Sequence, residues 1–204
     1  MKKIIFGLAA SALLFGVYSF GKNEMLALGE KAPMADTKMA DVSGKEYSLE
    51  DLKGENGLLV VFSCNTCPYV IAWEDTYPEL GLLSKENKVG MALINSNEAK
   101  RKGDDSMKEM KEHYKKASYN SAYVLDSNSK LANAFGAKTT PHVYLFNKEM
   151  KLVYRGAIDN MYETQDDVAT EFYLNDAIKA LSKGEKISPA ETKQTGCSIK
   201  RVRS

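Results

Sequence analysis

This chain of 204 residues has little of several things that would classify it at once. Lys and Arg (28) nearly cancel Asp and Glu (27), and the two signs are interspersed along the chain. Nothing in that balance argues for a nucleic-acid partner, and the charges read as a solvated surface. There are two histidines and three cysteines, which is too few for a stapled framework, and a domain this long has no need of one. No internal repeat or low-complexity tract is visible. A hydrophobic fraction of 44% with 27% charged residues is the composition of a globular domain.

The N-terminus departs from the rest. Lys2-Lys3 precede an apolar stretch from Ile4 to Phe20, and Ser19-Phe20-Gly21 offers a small-x-small cleavage site. That layout reads as a leader, residues 1–21, directing export to the periplasm; a retained N-terminal anchor is the alternative. No cysteine stands near the cleavage point, which argues against a lipid-anchored form.

What is present is concentrated in Cys64-Asn65-Thr66-Cys67-Pro68, directly after the apolar run Leu58–Phe62. Such a run suits a central strand buried on both faces. Two cysteines two residues apart at a strand-to-helix junction form a reversible dithiol/disulfide site. Later, Thr139-Thr140-Pro141-His142 opens another apolar strand, His142–Asn147. A helix from about Cys67 to Glu86 would place Cys64 at its N-terminus, where unsatisfied amides favour a thiolate. Cys64 is therefore expected to be the exposed attacking sulfur, and Cys67, one turn in, the resolving one. Other uses of the pair are weaker. Zinc would need Cys197 plus His113 or His142 as further ligands. Haem attachment needs His where Pro68 stands, and a purely structural disulfide would gain little from so small a loop. No organic cofactor or metal is implied.

The remaining elements follow from local signals. Ser48 with Asp51 three residues on predicts a capped helical turn. Pro78 predicts a kink or break in the 67–86 helix. Strands are expected at 89–95, 122–125, 142–147 and 152–154, the last two joined as a hairpin through Lys148-Glu149-Met150. Helices are expected at 106–116, at 129–135 ended by Gly136, and at 165–183, with 97–106 a polar loop. The division is a leader (1–21), a linker and lead-in (22–45), an α/β domain (46–183) and a polar tail (184–204). The fold class is α/β, a central mixed sheet with helices on both faces and a C-terminal β-hairpin plus helix.

Over roughly residues 30–183 the chain resembles thioredoxin-fold redoxins. The likeness rests on Val60-Val61-Phe62-Ser63-Cys64-Asn65-Thr66-Cys67-Pro68, on Leu131–Pro141 and on Val143-Tyr144-Leu145-Phe146. It is most similar to a peroxiredoxin-like branch with a C-N-x-C-P site and a G-C-S-I-K tail, here Gly196-Cys197-Ser198-Ile199-Lys200. The resemblance implies a thioredoxin-like fold, a cis Pro141 against the disulfide, and a Thr140 backbone free to pair with a substrate strand. Peroxiredoxins have their peroxidatic cysteine where Cys67 falls, but their Thr and Arg positions hold Cys64 and Thr140. The buried acid common before a thioredoxin dithiol is replaced by Leu58-Leu59-Val60. Dithiol exchange with protein thiols, recycled by an external donor or acceptor, is thus expected over peroxidase chemistry or metal carriage. Cys197 is either a third redox cysteine or an idle tail thiol. His142 either tunes the thiolate or merely starts its strand, His113 reads as a surface residue, and Glu74 and Asp75 as solvated helix positions.

Overall fold

The computed structural model describes residues 24–202; the leader reading of residues 1–21 lies outside them. Its strands are β1 (Met39–Asp41), β2 (Glu46–Tyr47), β3 (Gly57–Ser63), β4 (Val89–Asn95), β5 (Ala122–Leu125), β6 (Thr139–Thr140), β7 (His142–Asn147), β8 (Leu152–Gly156) and β9 (Cys197–Ser198). The helices are α1 (Leu49–Leu52), α2 (Pro68–Trp73), α3 (Thr76–Glu86), α4 (Met107–Lys116), α5 (Lys130–Phe135) and α6 (Tyr173–Lys183).

Seven strands form a mixed sheet in the order β2-β1-β5-β4-β3-β7-β8. At its centre β3 runs parallel to β4 and antiparallel to β7. All seven residues of β3 are buried, as a two-faced central strand requires. Because side chains alternate across a strand, Leu59 and Val61 enter one core with Val70, Trp73, Tyr77, Val143, Leu145 and Ile178. Leu58, Val60 and Phe62 enter the other, with Leu131, Phe135, Tyr144 and Phe146. Helices α2, α3 and α6 therefore cover one face, and α1 and α5 the other. The sheet and its two helical layers match the expected α/β class.

Local signals explain several boundaries. Ser48 and Asp51 form a reciprocal capping box on α1. Ser106 caps α4 by accepting from the Glu109 amide, and Gly136 ends α5 in the left-handed region. The long helix expected over 67–86 is instead two helices, and the break lies at Glu74–Asp75 rather than at Pro78. Pro78 is the third residue of α3, within the first turn, where its missing N–H costs no helical hydrogen bond. The Thr76 hydroxyl donates to the Trp73 carbonyl across the break.

The last helix is also shorter than expected, starting at Tyr173 instead of Gln165. Asn160 takes the amides that would begin it earlier, its Oδ1 accepting from Thr170 N and Glu171 N at 2.8 and 3.0 Å. Val168 and Phe172, inside the expected 165–183 span, are exposed. The lead-in is built into the sheet through β1, and Leu26 is buried beside Phe135, whose carbonyl accepts from the Leu26 amide. Backbone of residues 29–30 and 190–192 lies along β8 and covers that edge.

Phe135 makes edge-on contacts with Phe62, Tyr144 and Phe146 at ring-centroid distances of 5.3, 5.2 and 5.6 Å. Truncating it removes a fully buried aromatic from a packed cluster. Phe135→Ala is expected to cost about 3–5 kcal/mol, lowering the urea midpoint with an unchanged m-value.

Candidate redox site

Strand β3 ends at Ser63 and delivers Cys64 and Cys67 to the end of the sheet, beside the loop that opens β7. The Thr140–Pro141 peptide is cis, as the family resemblance implies. Thr140 is fully buried and touches both sulfurs. Its hydroxyl lies 3.3 Å from Cys64 Sγ, and its carbonyl oxygen 3.1 Å from Cys67 Sγ. The structure thus brings Cys64, Cys67, Thr140 and Pro141 together. It adds Cys197, because β9 pairs antiparallel with β6 and sets Cys197 opposite Thr140. All three cysteines are free thiols.

The expectation that Cys64 is the exposed sulfur at the helix N-terminus is corrected. Helix α2 begins at Pro68, so Cys67 is its N-cap, and Cys64 is 2% exposed against 4% for Cys67. The two sulfurs sit in opposite environments. The Cys67 value is lowered first by the neighbouring Cys64 thiol, against the opposing effect of burial, and further by the nearby Cys197 thiol and the Val70 and Cys197 amides. The Val70 amide faces the sulfur too loosely to close a formal cap hydrogen bond. The Cys67 thiol itself donates to the Thr140 carbonyl at 3.1 Å, and its surroundings bring its value down to about 4. Cys64 is pushed far up, first because it donates to Cys67, then by burial, with the Asp105 charge adding to both. The lower value falls on Cys67, which favours a thiolate there.

The loop between the cysteines is fastened by a polar network that the sequence did not reveal. Asn65 is buried, and its backbone amide and both side-chain polar atoms are used. Its amide donates to Asp105 Oδ1 at 2.9 Å, its side-chain nitrogen to the Asp104 carbonyl at 2.7 Å, and its Oδ1 accepts from the Tyr123 hydroxyl at 2.7 Å. Asp105 is fully buried and also accepts from Asn95 Nδ2 at 2.7 Å and Asn97 Nδ2 at 3.0 Å. A buried acid does stand beside the dithiol, but it comes from the 97–106 loop and not from β3. The available signal was the run Asn95-Ser96-Asn97, polar at the end of an apolar strand. A cleft of about 340 Å³ adjoins this loop, lined by Asn65, Thr66, Asp104, Glu109, Glu112, His113 and Lys116.

His142, His113, Glu74 and Trp73 each have distinct surroundings. His142 is buried on the opposite face of the sheet, its ring against Tyr144 at 4.6 Å, and does not face the sulfurs. Burial, then Arg155 and Lys138, hold it down to about 3, so it is neutral. His113 is not a surface residue. It lies half-buried, 3.1 Å from Glu74, which is itself half-buried and not a solvated position. Burial lowers the His113 value, and the Glu74 charge works against that. Trp73 is buried, with its indole N–H donating to Asp159 at 2.9 Å and its ring edge-on to Tyr162. Among the described residues, no group of three or more His, Cys, Asp or Glu is arranged to hold a metal ion.

A central mixed sheet flanked by helices, with two thiols at the end of β3 beside a cis-proline loop, defines a thioredoxin-like redox protein. Residues 28–155 match the AhpC/TSA family, more than half of the chain, and the chain belongs to that family. Among solved structures it is similar to a hypothetical protein from Sinorhizobium meliloti 1021, with 26% identity and a TM-score of 0.81 over 90% of this chain and 99% of that one. An uncharacterized conserved protein from Geobacillus kaustophilus is similar at 29% identity and a TM-score of 0.81, over 90% and 97% of the two chains. A secreted Mycobacterium tuberculosis disulfide oxidoreductase shares the fold at 11% identity and a TM-score of 0.53, over 74% and 97%. No curated protein matches the chain.

Three outcomes are expected from the way the site is built. In the reduced protein, thiolate absorbance near 240 nm is expected to persist from neutral pH down to about 4 and to be missing in Cys67→Ser. Since the folded value lies below the ordinary 9.0, the stability that this thiolate contributes is complete above that value. It is lost as pH falls towards 4, which acid titration of urea midpoints, wild type against Cys67→Ser, will read. Asp105→Ala strands the Asn65 amide and two buried asparagine side chains, and is expected to cost about 3 kcal/mol or more in urea unfolding.

Proposed function

We propose that this redoxin is an exported thiol–disulfide oxidoreductase that cycles Cys64 and Cys67 between dithiol and disulfide while exchanging with protein thiols. The observation that carries this reading is the convergence of two buried thiols on the cis-proline loop, with Cys64 against the Thr140 hydroxyl and Cys67, the N-cap of α2, against the Thr140 carbonyl. Their shared surroundings lower the Cys67 value and raise that of Cys64. Exchange proceeds by thiolate attack on a disulfide sulfur, and a thiol of low pKa also leaves readily. Cys67 is therefore the sulfur that exchanges with an incoming one, and Cys64 closes the internal disulfide. Thr140 and Pro141 form the wall against which an extended segment docks.

Export rests on the leader pattern of residues 1–21 and agrees with the secreted character of the M. tuberculosis neighbour. An oxidising compartment is where such a pair can persist as a disulfide. A peroxidase reading draws on the same Cys67 thiolate, but the places where peroxiredoxins carry Thr and Arg hold Cys64 and Thr140.

The reduced protein is expected to reduce the interchain disulfides of insulin, and Cys67→Ser to lose at least about a hundredfold of that rate. Titration in a redox buffer should show one two-electron couple for Cys64 and Cys67. Rapid peroxide consumption with no reduction of protein disulfides would reject the proposal in favour of a peroxidase.

A further inference from the structure

The docking wall is already occupied. Strand β9 of the chain's own tail lies on β6, with Thr140 opposite Cys197 and Thr139 opposite Ser198. The tail is fastened along its length. The Ile199 amide donates to the Lys138 carbonyl at 3.0 Å, and its side chain is buried in the core beneath α5. The Lys200 amide donates to Asn97 Oδ1 at 2.8 Å, and its carbonyl accepts from the Ala99 amide at 2.8 Å. Arg201 reaches the Asn133 side chain and the Ala137 carbonyl at 2.7 and 2.6 Å. Gly196 comes so close to the cis-proline loop that a Cβ there would lie 2.4 Å from the Thr140 carbonyl oxygen. Only a residue without a side chain permits that approach.

The consequence falls on the sulfurs. Cys64 and Cys67 are buried, whereas Cys197 is half-buried beside Ser198, which is exposed, and its thiol and amide both act on Cys67. An extended segment with a cysteine opposite Thr140 is the arrangement a substrate strand would adopt on this edge. Here the chain supplies it.

We propose that Cys197 is a third exchanging thiol and that the tail is a built-in substrate strand relaying the disulfide between the buried pair and outside thiols. In the oxidised protein, Cys197 attacks the Cys67 sulfur. The Cys64–Cys67 bond breaks, the Cys67–Cys197 bond forms, and the Cys197 proton passes to Cys64, beside the Thr140 hydroxyl. Two sulfurs are oxidised before and after, so no outside oxidant is consumed. A partner dithiol then attacks Cys197, Cys67 leaves as a thiolate, and the partner's second thiol resolves the mixed disulfide. The partner is oxidised by two electrons and the chain reduced by two. Run in reverse, the same steps reduce a partner disulfide.

The relay rests on the dithiol function proposed above, and the two can fail separately. In the full chain, Cys64→Ser oxidised with glutathione disulfide is expected to yield a peptide pair linked through Cys67 and Cys197, two hydrogens lighter than the free peptides. Cys197→Ser is expected to keep the Cys64–Cys67 couple yet turn over insulin at least about tenfold more slowly, since access to the buried sulfurs is lost. Gly196→Val, which leaves all three thiols but crowds the tail off the wall, should show the same loss. Absence of the linked pair, or turnover in Cys197→Ser that is unchanged or faster, overturns the relay while leaving the dithiol function standing. Failure of Cys197→Ser to form any Cys64–Cys67 disulfide while it keeps the wild-type urea midpoint removes the dithiol function itself.

Discussion

Thr140 is the residue on which the site depends. Its hydroxyl meets Cys64, its carbonyl meets Cys67, and its backbone carries the strand that brings Cys197. A buried residue can satisfy so many partners only if its position is fixed from several sides. The fixing comes from β7, whose His142–Asn147 run is paired across six positions with the central strand β3. The same β3 carries Cys64 at its end. Both halves of the site thus hang from one ladder, and the sulfur-to-wall geometry is inherited from the most buried strand in the fold.

A second set of bonds connects that ladder to the tail. Asn97 donates to Asp105 from its nitrogen and accepts the Lys200 amide on its oxygen. Asp105 in turn holds the Asn65 amide between the two cysteines. A chain of three hydrogen bonds therefore runs from the tail backbone to the dithiol loop. Inside a protein such bonds are strong when every member is partnered and costly when one is not. Movement of the tail leaves Asn97 short of a partner, so the position of Cys197 and the order of the 64–67 loop are physically linked.

Much of the frame was legible because its causes are local. The unbroken apolar run of β3, the Ser48 cap and the Gly136 terminator each act within a few residues of themselves. The features that escaped have distant causes. Asp105 acts on Asn65 across 40 positions of sequence. The start of α6 is set by Asn160 capturing amides ten and eleven residues on. The tail strand is two residues long and has no periodicity to read. Helix α2 starts one residue later than expected, at Pro68 instead of Cys67, and at a dithiol that shift decides which sulfur caps the helix.

The burial of the pair and the placing of the tail are two sides of one arrangement. Opening the wall to a foreign strand means breaking the β6–β9 pairing and exposing Ile199, whose burial alone contributes about 1.5–3 kcal/mol. A competitor must offset that cost before it gains anything of its own, whereas Cys197 bears none of it. The tail also lies beside Cys67, whose lowered value favours its departure as a thiolate. A thiol from outside meets the half-buried Cys197 before it meets either buried sulfur. Under the proposed relay, selectivity of exchange is set less by the Asn65-Thr66 dipeptide than by what can reach, or replace, Gly196-Cys197-Ser198.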